Sequence, residues 1–168
     1  MSVKKKEGIN ESTDIIGLKE YLRNPKVLKE SIDDNVNKTH KLTIKDSVDN
    51  IDSDRAKLVK QFIIRCCKEL GIENGCKVFL TGKRGGPITT TASYNPNNDE
   101  IWIYTKNRNM LADPLRSLAH EIRHYKQKLD GVLHDKSGED GSDHENEAHC
   151  FSGLMIRKFG KQNPEVFH

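Results

Sequence analysis

His120-Glu121-Ile122-Arg123-His124 constrains this chain more than any other stretch. Residues four apart on an α-helix lie one above the other, so two imidazoles at that spacing reach a single metal ion. Glu121, one position after the first imidazole, stands where a carboxylate can take a proton from water on that ion. Leu115, Leu118, Ala119 and Ile122 recur at the helical period and give the segment an apolar face, which turns the histidines away from bulk water. Asp113-Pro114 reads as an N-cap followed by proline at the first helical position. The helix is therefore expected to start there, run to about Asp130 and stop at Gly131.

The rest of the chain sets bounds. At 168 residues there is room for one ordinary domain with an extension. With 34% hydrophobic and 32% charged residues, part of the chain contributes little to a core. A net charge of +3 is too small to argue for nucleic acid. No apolar run approaches a membrane span, and Met1-Ser2-Val3-Lys4-Lys5-Lys6-Glu7 leads into no signal-peptide core. Cys66, Cys67, Cys76 and Cys150 form no metal knuckle and no regular framework. They fit free thiols in a reducing compartment, with Cys66 and Cys150 read as core residues, so an intracellular location is expected.

Residues 1–50 are rich in Lys, Asp, Asn and Ser and read as a polar arm, with a short amphipathic helix over 14–22. The arm is either disordered or docks onto a partner assembly through Ile15, Leu18, Tyr21 and Leu22. Residues 51–168 read as the folded domain. Asp52-Ser53 cap a helix carrying Ala56, Val59, Phe62, Ile63, Cys66 and Cys67, which Gly71 ends. Strands are expected at 77–81, 88–94 and 100–104, forming a small antiparallel meander. The turn Gly82-Lys83-Arg84-Gly85-Gly86-Pro87 lacks the spacing of a phosphate-binding loop. A polar, acidic connection follows over 131–141. Ser142 or Asp143 then caps a last helix, with Ala148, Phe151, Leu154, Met155 and Ile156 inward and Gly160 at its end.

A catalytic zinc usually takes three protein ligands, and several residues compete to be the third. Asp130 occupies the ligand position of a longer His-Glu-x-x-His motif, but Gln127 stands where that motif needs glycine. His134 would match SprT-like proteases at a short spacing. Glu145 and Glu147 lie about twenty residues beyond His124 on a separate helix. They cannot both face one ion, because residues two apart diverge on a helix. Glu145 also completes Ser142-x-x-Glu145, a capping box in which its carboxylate would only satisfy a backbone N–H.

His120-Glu121-x-x-His124, followed by Glu145-x-x-Ala148-x-x-Phe151 and Leu154-Met155, resembles the compact gluzincin metallopeptidases, notably the ImmA/IrrE type. The resemblance covers about residues 53–159 and departs at His149, where an Asp or Asn commonly follows the alanine. It implies an α+β fold with a minimal zincin-like core: helix, small antiparallel sheet, His-Glu-x-x-His helix and C-terminal helix. It also implies Zn²⁺ held by His120, His124 and Glu145, whereas a thermolysin-like reading nominates Glu147. Glu121 becomes the general base. His144, His149 and Tyr125 are candidate donors to the oxyanion, with His149 set beside Glu121 as the catalytic pair. An extended peptide would pair with an edge strand.

The competing expectation is a non-catalytic module of the same fold, attached to a larger assembly through residues 1–50. The composition resembles that of bacteriophage-encoded proteins, which would make that assembly a virion. A nucleic-acid-associated protease rests only on Lys83-Arg84 and Lys4-Lys5-Lys6, which solvated charge explains equally well.

Overall fold

In chain order the elements are β1 (Lys41–Lys45), α1 (Ser53–Glu69), β2 (Lys77–Thr81), β3 (Ala92–Asn95), β4 (Glu100–Tyr104), α2 (Ala112–Leu129) and α3 (Asp143–Gly160), with a closing 3₁₀ turn at Pro164–Phe167. The computed structural model describes residues 40–45, 51–73, 75–83, 91–106, 110–134 and 139–168, all within the unit Asn37–His168. The fold is α+β: among the described residues, long helices pack on a four-stranded sheet.

The sheet runs β1-β2-β4-β3 and is mixed rather than the expected antiparallel meander. β1 pairs parallel with β2, and β2 parallel with β4, while β3 and β4 form the antiparallel hairpin. The correction has a physical cause. β2 and β4 carry the strongest apolar alternation, so they pair at the centre and bury Val78, Leu80, Ile101 and Ile103 on one face. The polar strand Ala-Ser-Tyr-Asn is left at the edge. On the opposite face the register sets Phe79 beside Trp102, whose rings stack at 4.7 Å beneath the Lys45 ammonium. The hairpin turn takes a positive φ at Asp99, one of the few non-glycine residues that tolerate it.

β1 comes from the stretch read as a polar arm. Its Lys and Thr positions face solvent and Leu42 is its contact with the core, so its hydrophobic pattern is faint in sequence. The other residues of that arm, 1–39 and 46–50, including the helix expected at 14–22, lie outside the described residues. So do 88–90 of the second expected strand.

α1 matches expectation. Asp52 caps it by accepting from the N–H groups of Asp54 and Arg55, and Val59, Phe62, Ile63, Cys66 and Cys67 are buried. α2 begins at Ala112, ahead of the expected start, with Leu111 at the N-cap position and no side-chain cap; Asp113 lies inside the first turn. Its apolar face is as expected, with Leu115, Leu118, Ala119 and Ile122 all buried. Gly131, at φ +71°, ends it.

α3 keeps most of the expected face: Ala148 and Met155 are buried and Phe151 and Ile156 pack on the core, so Leu154, 46% exposed, is the exception. Ser152 and Phe159 also point inward, at helical spacing from Ala148 and Met155. Ser152 is tolerated inside because its hydroxyl donates to the His149 carbonyl. Cys150, expected in the core, is exposed. Phe159 meets Phe62 of α1 edge to face at 5.0 Å, and Gly160 lets Phe167 close over the helix end, where a Cβ would collide with its ring. No helix among the described residues is long and apolar enough to cross a membrane.

Candidate metal centre

α2 delivers His120 and His124 on one face, one turn apart, with their Nε2 atoms 3.1 Å from each other. α3 delivers Glu145 from its first turn. Ser142 caps α3 by accepting from the Glu145 N–H, but the Glu145 carboxylate turns to the imidazoles. Its Oε1 lies 3.0 Å from His120 Nε2 and its Oε2 lies 3.2 Å from His124 Nε2. Glu145 sits in the first turn of its helix, where the macrodipole favours negative charge.

The two Nε2 atoms and the Glu145 carboxylate, each of whose oxygens faces one imidazole, form a triangle of groups with contacts of 3.0 to 3.2 Å. A zinc ion bonded at about 2.0–2.1 Å to tetrahedrally arranged ligands keeps them about 3.3 Å apart. Two imidazoles and one carboxylate also suit that ion chemically. The donor set therefore fits a divalent ion of the zinc type. Burial, the largest influence, pulls the His120 pKa down to about 4, aided by His124 and His149 and opposed by Glu145. The ring is thus neutral near pH 7, with a lone pair available to a metal.

His149, one turn after Glu145, brings its Nε2 to 3.2 Å from Glu145 Oε1 and its ring centroid to 4.6 Å from that of His120. Its side chain is 57% exposed. With His120, Thr91, Arg116, Ser117 and Ser152 it lines a cavity of about 280 Å³. Thr91 Oγ1 and Ser117 Oγ, 2.6 Å apart, join the start of the edge strand to α2 at that cavity.

Glu121 lies beside the triangle. Loss of hydration raises its carboxyl to about 7, the Glu145 charge adds to the rise, and the Tyr94 backbone N–H opposes it. β3 is held against α2 at this point. Tyr94 donates its hydroxyl proton to Asp99 at 3.0 Å, and Lys128 of α2 reaches the same carboxylate at 2.6 Å.

The structure separates the other candidates. Glu147 faces away from the histidines, accepting from Arg123 Nη2 at 2.9 Å and from Gln127 Nε2 at 3.1 Å. Arg123 first, then Gln127, hold its carboxyl below the usual range. Asp130 pairs with Lys126. The ring of His134 lies against that of His144 at 5.4 Å. Tyr125 is buried against Tyr94 rather than at the imidazoles. Of the three candidate donors to an oxyanion, His149 is the one set beside the triangle.

Gln127 is the residue the sequence reading undervalued. It is buried, and its Nε2 donates to both the His144 carbonyl and Glu147 Oε2. Those two acceptors fix the amide orientation, so Gln127 Oε1 faces His124 Nδ1 at 2.8 Å and must receive a proton from it. His124 is thereby held in the tautomer whose Nε2 lone pair points into the triangle. The signal was present as i,i+3 spacing from His124 on one helical face. No protein-family model, curated protein or solved structure matches the chain.

Proposed function

We propose that this chain is a zinc-dependent metallopeptidase of the compact gluzincin kind, with His120, His124 and Glu145 as the zinc ligands. The observation that supports it is the triangle of imidazole nitrogens and carboxylate oxygens, with Glu121 beside it. Zinc held there supplies a Lewis acid and makes water acidic enough to ionise near neutral pH. Glu121, with its carboxyl near 7, accepts the proton of the attacking water and delivers it to the leaving amine. His149 donates to the oxygen on which negative charge develops. An extended peptide lies along β3, and Arg116, Thr91 and Ser152 line the cavity that receives its side chains.

The test is cleavage of an unfolded protein by the zinc-loaded chain. Glu121→Gln is expected to keep its zinc and lose about 10²–10⁴-fold in rate. A zinc-loaded wild type that cleaves nothing, or a Glu121→Gln variant as fast as wild type, ends the hydrolase reading.

One observation favours a second reading. His149 Nε2 is as close to Glu145 as the ligand histidines are, so it can serve as a fourth ligand. Four protein ligands make a closed structural site, and the chain would then be a binding module that attaches to a larger assembly through its N-terminal residues. His149→Ala separates the two. Loss of rate with zinc retained supports the peptidase, and loss of zinc supports the module.

A further inference from the structure

A second group of metal-type donors lies apart from α3, in the sealed interior. His40 immediately precedes β1, Cys76 immediately precedes β2, and Cys67 stands in the last turns of α1. The parallel register Lys41↔Lys77 makes His40 and Cys76 neighbours one step before the pairing begins, and the Lys41 N–H donates to the Cys76 carbonyl. Cys76 falls on the same face of β2 as the buried Val78 and Leu80, and there it meets Cys67 of α1. Three elements therefore meet at one end of the sheet, each contributing a donor.

All three side chains are buried, and their ligand atoms lie within 4.8 Å of one another. The Cys67 and Cys76 Sγ atoms are 3.9 Å apart. A disulfide requires about 2.05 Å. Two thiolates sharing one zinc at about 2.3 Å in tetrahedral geometry stand about 3.8 Å apart. His40 is 3% exposed, and its Nδ1 has no hydrogen-bond partner among the described residues. An imidazole buried with an unsatisfied nitrogen beside two thiols is poorly explained as core packing, because buried polar atoms are normally paired. Ordinary buried cysteines, by contrast, need no such neighbour.

We propose that His40, Cys67 and Cys76 bind a second, thiophilic cation of the zinc class, independent of the centre on α2 and α3. Two thiolates balance a divalent charge, and the imidazole supplies its lone pair, so the ion enters the interior without net charge. Bound there, with a fourth donor completing its tetrahedral shell, it fastens β1 to β2 and to the end of α1, and its role is structural.

Cobalt(II) is the probe, because thiolate ligation gives it an intense near-ultraviolet charge-transfer absorption that imidazole and carboxylate do not. The experiment uses the full chain carrying His120→Ala, His124→Ala and Cys150→Ser, which removes the first centre and the exposed thiol, under reducing conditions. The expected result is a charge-transfer band that saturates at a single ion per chain and is displaced by zinc. Cys67→Ser and Cys76→Ser should each abolish it. His40→Ala should weaken cobalt binding by more than the about 10–100-fold typical of losing an outer-shell partner. Because the readout on the cysteine-intact chain needs no change to the cluster, it stands even if the serine variants do not fold. A folded, reduced chain with no such band overturns the proposal, as does recovery of a Cys67–Cys76 disulfide from the native protein. Neither result bears on whether the first centre hydrolyses peptides.

Discussion

The two donor clusters are built on opposite plans. His120 stands at the wall of a cavity together with the half-exposed His149, and His124 and Glu145 adjoin His120. His40, Cys67 and Cys76 are sealed inside the core. The first set comes from one helix and the opening turn of another, and its geometry is held by Gln127 from behind. The second comes from the meeting of two strand starts and a helix end. Catalysis needs room for substrate and a preorganised set of donors, whereas a fastening ion needs enclosure, charge balance and a filled ligand shell, of which these side chains supply three members. The difference teaches that two clusters with similar donors can differ most in exposure, and exposure is what would fit each to a different use of a metal.

Three changes press on that contrast. The largest effect is expected from Phe62→Ala. Phe62 of α1 packs edge to face on Phe159 of α3, and so joins the helix bearing Cys67 to the helix bearing Glu145. Its loss should cost about 3–5 kcal/mol by chemical denaturation, and both clusters should lose metal affinity together. If one cluster keeps full affinity, the two regions do not share a cooperative core.

Gln127→Ala should act on one cluster alone. It frees the His124 tautomer and leaves Glu147 with Arg123 as its partner, so zinc affinity at the first centre should fall about 10–100-fold in chelator competition. Cobalt–thiolate absorption should not change. A Gln127→Glu variant should recover part of the affinity, because a carboxylate can still accept from His124 Nδ1. Unchanged affinity in Gln127→Ala would remove the brace from the account.

Ser142→Ala is the gentlest probe. It deletes the cap of α3 at a cost of about 1 kcal/mol in thermal or denaturant unfolding, and it loosens the turn that carries Glu145. Zinc affinity at the first centre should drop by less than in Gln127→Ala, with the thiol cluster untouched.

The same contrast explains what could be read from the sequence. The α2 centre was legible because its histidines and Glu121 sit at fixed helical offsets, a purely local signal. Glu145 was one of several candidates, and only the packing of α2 on α3 turned it inward and Glu147 outward. On α3 the apolar face was legible except at Leu154, which looks like a core residue but is exposed, and at Ser152, which is inside because its hydroxyl donates to a carbonyl. The sheet misled more, since turn chemistry after β2 favoured a hairpin. Which strands become neighbours depends on burial of Val78, Leu80, Ile101 and Ile103 against helices. The thiol cluster was invisible because no spacing links His40 to Cys67 and Cys76; a parallel register does.

That register also bears on how the chain reaches its native state. Lys41 pairs with Lys77, so β1 cannot dock until the intervening polypeptide, α1 included, has doubled back on itself. Closing such a loop costs entropy before any ladder bond is returned, whereas the β3–β4 hairpin closes across a four-residue turn. β1 therefore joins late and peels first, and an ion gripping its leading residue would act as a latch on the slowest-won contact in the sheet.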